Sequence, residues 1–348
     1  MTRTSLPTVA VVGAGYAGMT AVGRLAGKAH VILINPVDVF VDRIRLHEYV
    51  AGTRTAQATA LPLHGHLPAG TSLVVDTAVE VGPGRVDLAS GRTIRADHVI
   101  AAIGSGASAG MGSFATASRL RNAVARCAPG DRVNILGAGH TGTEMAAEIA
   151  TARPDLQLTL TDPNGLLPGS STPARSNAAL FMDKHRVEVR HNEPEKEPHA
   201  LQIDCTGFKV PTLPGLTTPD PTLMVADGLW AAGDGAGTGI RMSCAAAEPM
   251  GAHVADNILA LTLGHEPENF SLGFVNHALS LGRRQGLIQF TNRDDTPRRQ
   301  LISGLPGAVG KEIISRMARR VALHSAKGYR WPADAGPVHH SRMERHGE

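Results

Sequence analysis

Two short glycine-rich runs carry the first chemistry legible in the chain. Gly13-Ala14-Gly15-Tyr16-Ala17-Gly18 follows the β-branched run Thr8–Val12, and Gly137-Ala138-Gly139-His140-Thr141-Gly142 follows Arg132–Leu136. In each, the first glycine permits a tight turn, the second lets a diphosphate approach bare backbone, and the third lets the next helix lie close to the strand. Unpaired N–H groups and the helix dipole then favour the phosphate charge. The chemistry is dinucleotide binding, and the chain is built for it twice.

The strands after each loop end in polar residues. His30–Ile34 leads to Asn35, where an acid usually grips the ribose 2′-OH, and Asn35 can do this without the charge. Leu156–Thr161 leads to Asp162, 20 residues after Gly142, at the expected spacing. An acid there suits NAD(H) better than its 2′-phosphate form. A third cue is the apolar run Leu229–Ala232 ending in Gly233-Asp234. Two dinucleotides in one chain imply a flavin and a nicotinamide.

The elements holding these loops need large cores, and 348 residues with 42% apolar side chains supply enough for two ordinary domains. A net charge of +3 with sixteen scattered histidines argues against nucleic acid as a partner. Cys127, Cys205 and Cys244 form no close pair, so neither a dithiol relay nor a metal site is expected. No apolar run approaches the ~20 residues of a membrane helix, and no signal segment precedes the first loop, so a reducing cytoplasm fits.

The two halves can be measured against each other. From Gly13 to Gly104 is 91 residues, whereas Gly137 to Gly207 is 70. The longer span holds Leu73–Val75, Thr77–Val81, Val86–Leu88 and Thr93–Ile94, read as strands of a small meander; the shorter has only Val187–Val189 before the charged, Pro-broken stretch 191–198. The second meander is therefore expected to be clipped and its nicotinamide affinity reduced.

With these segments in hand, the chain resembles the type II NADH dehydrogenase and pyridine-nucleotide-disulfide oxidoreductase flavoproteins, without the redox disulfide. The resemblance covers residues 8 to 320 and rests on VAVVGAGYAG at 9–18, INPVDVFVDRIRLHEYVAG at 34–52, NILGAGHTGTEMAAEIA at 134–150, LWAAGDGAG at 229–237, RMSCAAAEPMGAHVADNI at 241–258 and ALSLGRRQGLIQFT at 278–291. It implies an α/β fold of two Rossmann-like dinucleotide-binding domains, the second inserted into the first, plus a C-terminal α+β region. The expected boundaries are 1–107 with 226–275 for FAD, 108–225 for NAD(P)H, 276–330 over the flavin, and 331–348 as a disordered tail. It also implies that Asp234 contacts the ribityl or pyrophosphate, that Arg43 lies near the FAD phosphates, and that Gly104 and Met250 border the cofactor.

The chemistry belongs to FAD, so no side-chain nucleophile is required. A helix expected to open at Glu248-Pro249-Met250-Gly251, with Pro249 in its first turn, would in that family point at the flavin pyrimidine; an ordinary Pro-started helix is the alternative. Glu144 is either a proton relay at the flavin–nicotinamide junction, as the resemblance implies, or a first-turn acid complementing its helix dipole. Glu248, if desolvated, would be a general acid or base. Cys244 either lies close to the flavin or is simply a small buried hydrophobe.

Val309, Ile313, Met317 and Val321 recur every four residues beside Lys311, Arg316, Arg319 and Arg320, predicting a basic amphipathic helix. It either rests on a membrane surface, as in the resembling dehydrogenases, or packs on the FAD domain or across a homodimer. The leading function is hydride transfer from NADH to FAD and on to a quinone or small organic acceptor. The alternative is a flavin-dependent tailoring enzyme acting directly on a biosynthetic intermediate, with a degenerate nicotinamide site.

Overall fold

The computed structural model describes residues 6–107, 112–191 and 198–333. The strand Thr8–Val12 is buried at four of its five positions, as a central strand covered on both faces must be. It lies between His30–Asn35 and His98–Ala101, parallel to both. Ser72–Val75 extends the sheet beyond His30–Asn35. On the other side Leu229–Ala231 adds in parallel and Met224–Ala226 returns antiparallel at the edge. A strand from residue 229 thus completes a sheet begun at residue 8.

Between them in sequence comes a second sheet of four parallel strands, in the order Glu188–Arg190, Gln157–Thr161, Arg132–Leu136 and Leu201–Asp204. This is the expected insertion of one dinucleotide-binding unit into another. The two connections between the units, Gly106–Ala107 and Phe208–Lys209, pair antiparallel.

The meander of the first unit is real but smaller than expected. It has three antiparallel strands, Ala78–Gly82, Arg85–Leu88 and Thr93–Arg95. Leu73–Val75, read as its first member, instead forms the outer parallel strand of the main sheet. An edge strand is only half buried, and its pattern cannot be told from a meander strand by periodicity alone. Among the described residues the second unit has no such meander, and part of the Pro-broken stretch, 192–197, lies outside them.

A third layer consists of the antiparallel strands Asn276–Ser280, Gly286–Thr291 and Pro297–Ser303 with the helix Gly304–Arg320 laid across them. A Cβ at Gly307 would overlap the carbonyl of Gly286, so the bare backbone is what lets this helix sit so low. The helix buries Gly307, Ser315 and Ala318. Its apolar stripe faces away: Val309, Ile313 and Met317 are 52%, 52% and 61% exposed, joined by Leu305. These side chains do not pack on the first unit. Val321, read as part of the stripe, lies in a π-helical turn at residues 321–325. The tail expected from 331 is described only to 333, where the Trp331 indole N–H donates to Ser271; the remainder lies outside the described residues.

The core does not follow the sequence ranges cleanly. Leu46, Tyr49 and Val50, from the stretch assigned to the first unit, pack with Met145 and Ile149 of the second, together with Leu279 and Leu287 of the third layer. All three layers are thereby locked around one shared wall.

Candidate active site

The helices Tyr16–Leu25 and His140–Ala152 begin directly after the two glycine loops, with Gly15 and Gly139 as N-caps. The first intrahelical bonds run from Met19 to Gly15 and from Thr143 to Gly139, so the amides preceding them point out of the helix unpaired. The three glycines divide the work. Gly13 takes φ 105°, which only glycine adopts readily, and Cβ atoms at Gly18 or Gly142 would overlap the carbonyls of Gly13 or Gly137. Beside Gly15 and Gly139 there is open space, with nothing within 4 Å of an added Cβ.

Asn35 and Asp162 occupy equivalent places and do equivalent work. Asn35 Oδ1 accepts from the Ala14 amide at 2.9 Å, and Asp162 Oδ2 from the Ala138 amide at 2.7 Å. Their second groups are also engaged, Asn35 Nδ2 donating to Val37 and Asp162 Oδ1 accepting from Asn164. Both residues hold the loops in shape.

A cavity of about 260 Å³ joins the two loops. A water needs only ~10–15 Å³ on this measure, so the space is ligand-sized. Gly15, Tyr16, Ala17, Gly104, Gly233 and Asp234 form its first wall, His140, Thr141 and Glu144 its second. The strand residues Asn276–Ala278 and Lys311 of the last helix close it, with the segment Arg241–Ala245 alongside.

Electrostatics divide the cavity. At the first wall Arg43 donates to Ser105, whose hydroxyl donates to Asp234 at 3.0 Å. Burial raises the Asp234 carboxyl above its ordinary range, although Arg43, Ser105 and the Ser243 amide oppose the shift. At the second wall Glu144 meets Lys311 Nζ and the Ser280 amide, at 3.0 and 2.9 Å. Burial alone would raise Glu144, but His47, Lys311 and the amide hold it below the usual carboxylate range. His140 is pushed down to about 4, by burial first and then by His277 and Arg241.

The helix expected to open at Pro249 opens at Cys244 instead, after the N-cap Ser243, and runs to Thr262. The alanines at 245–247 are strong helix formers, and they extend it one turn before the proline. Pro249 therefore lies inside the helix and has no N–H to give the carbonyl of Ala245, on the cavity wall. The added turn also moves the acid: Ser243, Cys244, Ala245 and Ala247 line the cavity, while Glu248 does not. Glu248 sits one layer behind, buried, with Oε1 unpartnered. Burial and then Asp42 raise its carboxyl well above the ordinary value. Met250 is buried and lines the adjoining pocket, which shares Gly233, Asp234 and Arg241 with this cavity. Burial first pushes the Cys244 thiol to about 12, leaving it a poor thiolate.

Glu248 gives a stability prediction. Its raised native pKa means that the carboxyl costs nothing at low pH, where folded and unfolded chains are both protonated. The cost grows as pH rises above the unfolded value of ~4.3. Apoprotein Glu248→Gln is expected to match wild type at pH 4 and to melt higher at pH 7, by the equivalent of about 1–3 kcal/mol; thermal scans at the two pH values check it.

Sequence reading missed His277 and Asp295 entirely. They lie far apart from both loops in sequence, and no motif joins them. His277, on the strand Asn276–Ser280, lines the cavity and its Nε2 lies 2.7 Å from Asp295 Oδ1.

Residues 7–206, over half of the chain, match the family model of pyridine nucleotide-disulphide oxidoreductases. The chain belongs to that family. As a member it is an FAD-dependent oxidoreductase, with FAD and NADH as the cofactors of its kind. Solved structures share the fold at low identity. The sulfide:quinone oxidoreductase of Aquifex aeolicus is similar at a TM-score of 0.76 and 15% identity, over 91% of each chain. The NDH2 of Plasmodium falciparum, solved with NADH, reaches 0.75 at 13%, over 94% of this chain and 99% of that one. The water-forming NADH oxidase of Lactobacillus brevis reaches 0.62 at 19%, over 82% and 76%. No curated protein sequence matches.

The family's cofactor fits what the chain offers. Open backbone at Gly15, outward amides at a helix start and the Arg43–Ser105–Asp234 set suit the diphosphate and sugar portions of FAD. The family's redox disulfide does not carry over: Cys127, Cys205 and Cys244 are free.

Proposed function

We propose that NADH reduces FAD bound at the first loop, and that the electrons pass to a quinone or small organic acceptor. The supporting observation is a cavity bordered by both glycine loops. In this reading Gly13, Gly15, Tyr16, Ala17, Gly18, Gly104, Gly233 and Asp234 hold FAD with Arg43, and Asn35 shapes its loop. Gly137, Gly139, Gly142 and Asp162 serve NADH. FAD, when bound, supplies the hydride chemistry.

The side chains position and balance charge around it. Glu144 stays ionised, pairing Lys311 at the junction of the two walls. Glu248, its carboxyl raised by burial and one layer back, is the acid reserve behind the Cys244 helix start; unchanged turnover and pH profile in Glu248→Gln would remove that role. The exposed stripe of Leu305, Val309, Ile313 and Met317, flanked by Arg316 and Arg320, suits a membrane surface where a quinone would be found; a homodimer could cover the same face. Among the described residues no helix is long and apolar enough to cross a membrane.

The tailoring-enzyme reading keeps one specific support: the Leu167 amide donates to the Ala138 carbonyl inside the second loop, tying that loop to its own unit. Anaerobic mixing decides. NADH is expected to bleach the reconstituted flavoprotein within seconds, and a later quinone to restore the colour. A flavin that stays oxidised with NADH but turns over an organic substrate would favour the alternative.

A further inference from the structure

Two joined cavities lie where the helix Gly304–Arg320 ends, and they share no lining residue with the cofactor cavity. The first, about 450 Å³, has Arg316, Arg319, Arg320, His66 and His324 around it, and among the described residues no carboxylate lines it. The second, about 690 Å³, meets the first at His66, Leu323 and His324. Gly23, Gly65, Leu67, Pro68 and Gly328 wall this chamber, and among the described residues His66 and His324 bring the only polar side chains to it. At Gly65 and Gly328 the wall is bare backbone, with nothing within 4 Å of an added Cβ. Each cavity far exceeds the ~10–15 Å³ that a water needs.

The positive charge at the first cavity exceeds what the fold itself uses. A helix C-terminus carries about half a negative charge, which one cation answers; here three arginines fall in the last five residues. The carboxylates in their reach are shared. Glu312 accepts from Arg45 as well as from Arg316, and Asp42 lies 4.0 Å from Arg54 and 3.9 Å from Arg319. The excess shows at His66, whose ring centroid is 5.0 Å from that of His324. Burial first, then His324, Arg319 and His64 hold His66 below its ordinary value, and no carboxylate counters them. The turn that follows Arg320 is π-helical, a distortion frequent at functional sites.

A cationic mouth on an apolar chamber matches a ligand with an anionic head and a hydrocarbon chain. We propose that these cavities receive one acidic phospholipid, its phosphate at Arg316, Arg320 and His324 and one acyl chain in the chamber along Leu67 and Pro68. The arginine fork fits phosphate oxygens with two parallel bonds, whereas the cation of a zwitterionic lipid would be repelled by the same groups. Arg316 and Arg320 stand four residues apart, on the helix face that carries the exposed Val309, Ile313 and Met317. The chamber therefore opens beside the apolar stripe. The inference rests on the membrane reading of that stripe for the source of the lipid, and binding of a monomeric ligand does not depend on it.

Calorimetric titration of the full chain with decyl phosphate, kept below its micelle-forming concentration, tests the site without a membrane. One decyl phosphate per chain is expected. Hexyl phosphate should bind ~10²-fold more weakly, the usual loss for four buried methylenes; inorganic phosphate and the uncharged decyl maltoside should not saturate. Both Arg316 and Arg320 are exposed, so Arg316→Gln/Arg320→Gln keeps the fold and should cost decyl phosphate ~10-fold or more. Vesicles then identify the source: adding phosphatidylglycerol to phosphatidylcholine should raise wild-type binding well above that of the arginine variant. Ile313→Ser/Met317→Ser should weaken binding to both vesicles and leave decyl phosphate unchanged, which tells failure of the stripe from failure of the site. Equal affinity for decyl phosphate and decyl maltoside, no gain from chain length, an arginine variant that binds decyl phosphate like wild type, or indifference to phosphatidylglycerol would overturn the proposal.

Discussion

Alanine at Gly15 is expected to remove FAD from the protein while leaving its fold intact. A Cβ there meets no protein atom within 4 Å, and Gly15 sits at an ordinary φ of −81°, so the apoprotein has no reason to lose stability. The space that the methyl enters is the one a diphosphate must occupy to reach the amides at the helix start. A loss of about a hundredfold in FAD affinity, or ~2.8 kcal/mol, is expected with the melting temperature of the apoprotein unchanged. Gly139 repeats the geometry, and Gly139→Ala should keep FAD but weaken NADH by a similar factor. Gly18→Ala is the contrast: its Cβ would overlap the Gly13 carbonyl, so it should lower stability by about 1–3 kcal/mol as well as FAD retention. Titrations with each nucleotide, alongside thermal scans, distinguish the three variants.

The second large effect is expected at Lys311. Its ammonium group lies against Glu144 and the Ala278 carbonyl inside the cavity wall. Replacing it with methionine leaves Glu144 buried with its nearest cation gone, and such broken pairs cost about 3–5 kcal/mol. The pH dependence follows from the depressed Glu144 carboxyl. A lowered native pKa contributes stability that is present above the unfolded value of ~4.3 and is lost as pH falls. Lys311→Met should therefore melt roughly 4–7 °C below wild type at pH 7 and draw level near pH 4. A gap that persists unchanged at low pH would assign the loss to packing instead of charge.

The sequence disclosed the parts of this molecule that are local. Strand, loop and helix at residues 8–25 and 132–152 could be read because each glycine answers to a contact within its own motif. The insertion of one unit into the other was legible because Gly233-Asp234 returns to a pattern begun at Gly13. What escaped was set at long range. Whether Leu73–Val75 joins a meander or the edge of the sheet depends on a partner 40 residues away, and its half-buried pattern suits both. The helix start at Cys244 was hidden by Pro249, a residue that marks first turns more often than second ones, and the error of one turn moved Glu248 from the cavity to the layer behind it. That the oxygens of Asn35 and Asp162, placed by the sequence beside a ribose, also accept from the loop amides next to them could not be read from the spacing. His277 and Asp295 had no sequence signal at all, because a turn at 295 and a strand at 277 meet only when the third layer folds.

The central claim is that the backbone around Gly15 receives the diphosphate of FAD, and equilibrium titration of apoprotein with FAD, followed by quenching of flavin fluorescence, measures it directly. Saturation at one FAD per wild-type chain, with no saturation in a folded Gly15→Ala chain, is the expected result. A folded wild-type protein that leaves flavin fluorescence untouched, or one that binds FAD equally well with alanine at that position, would contradict it.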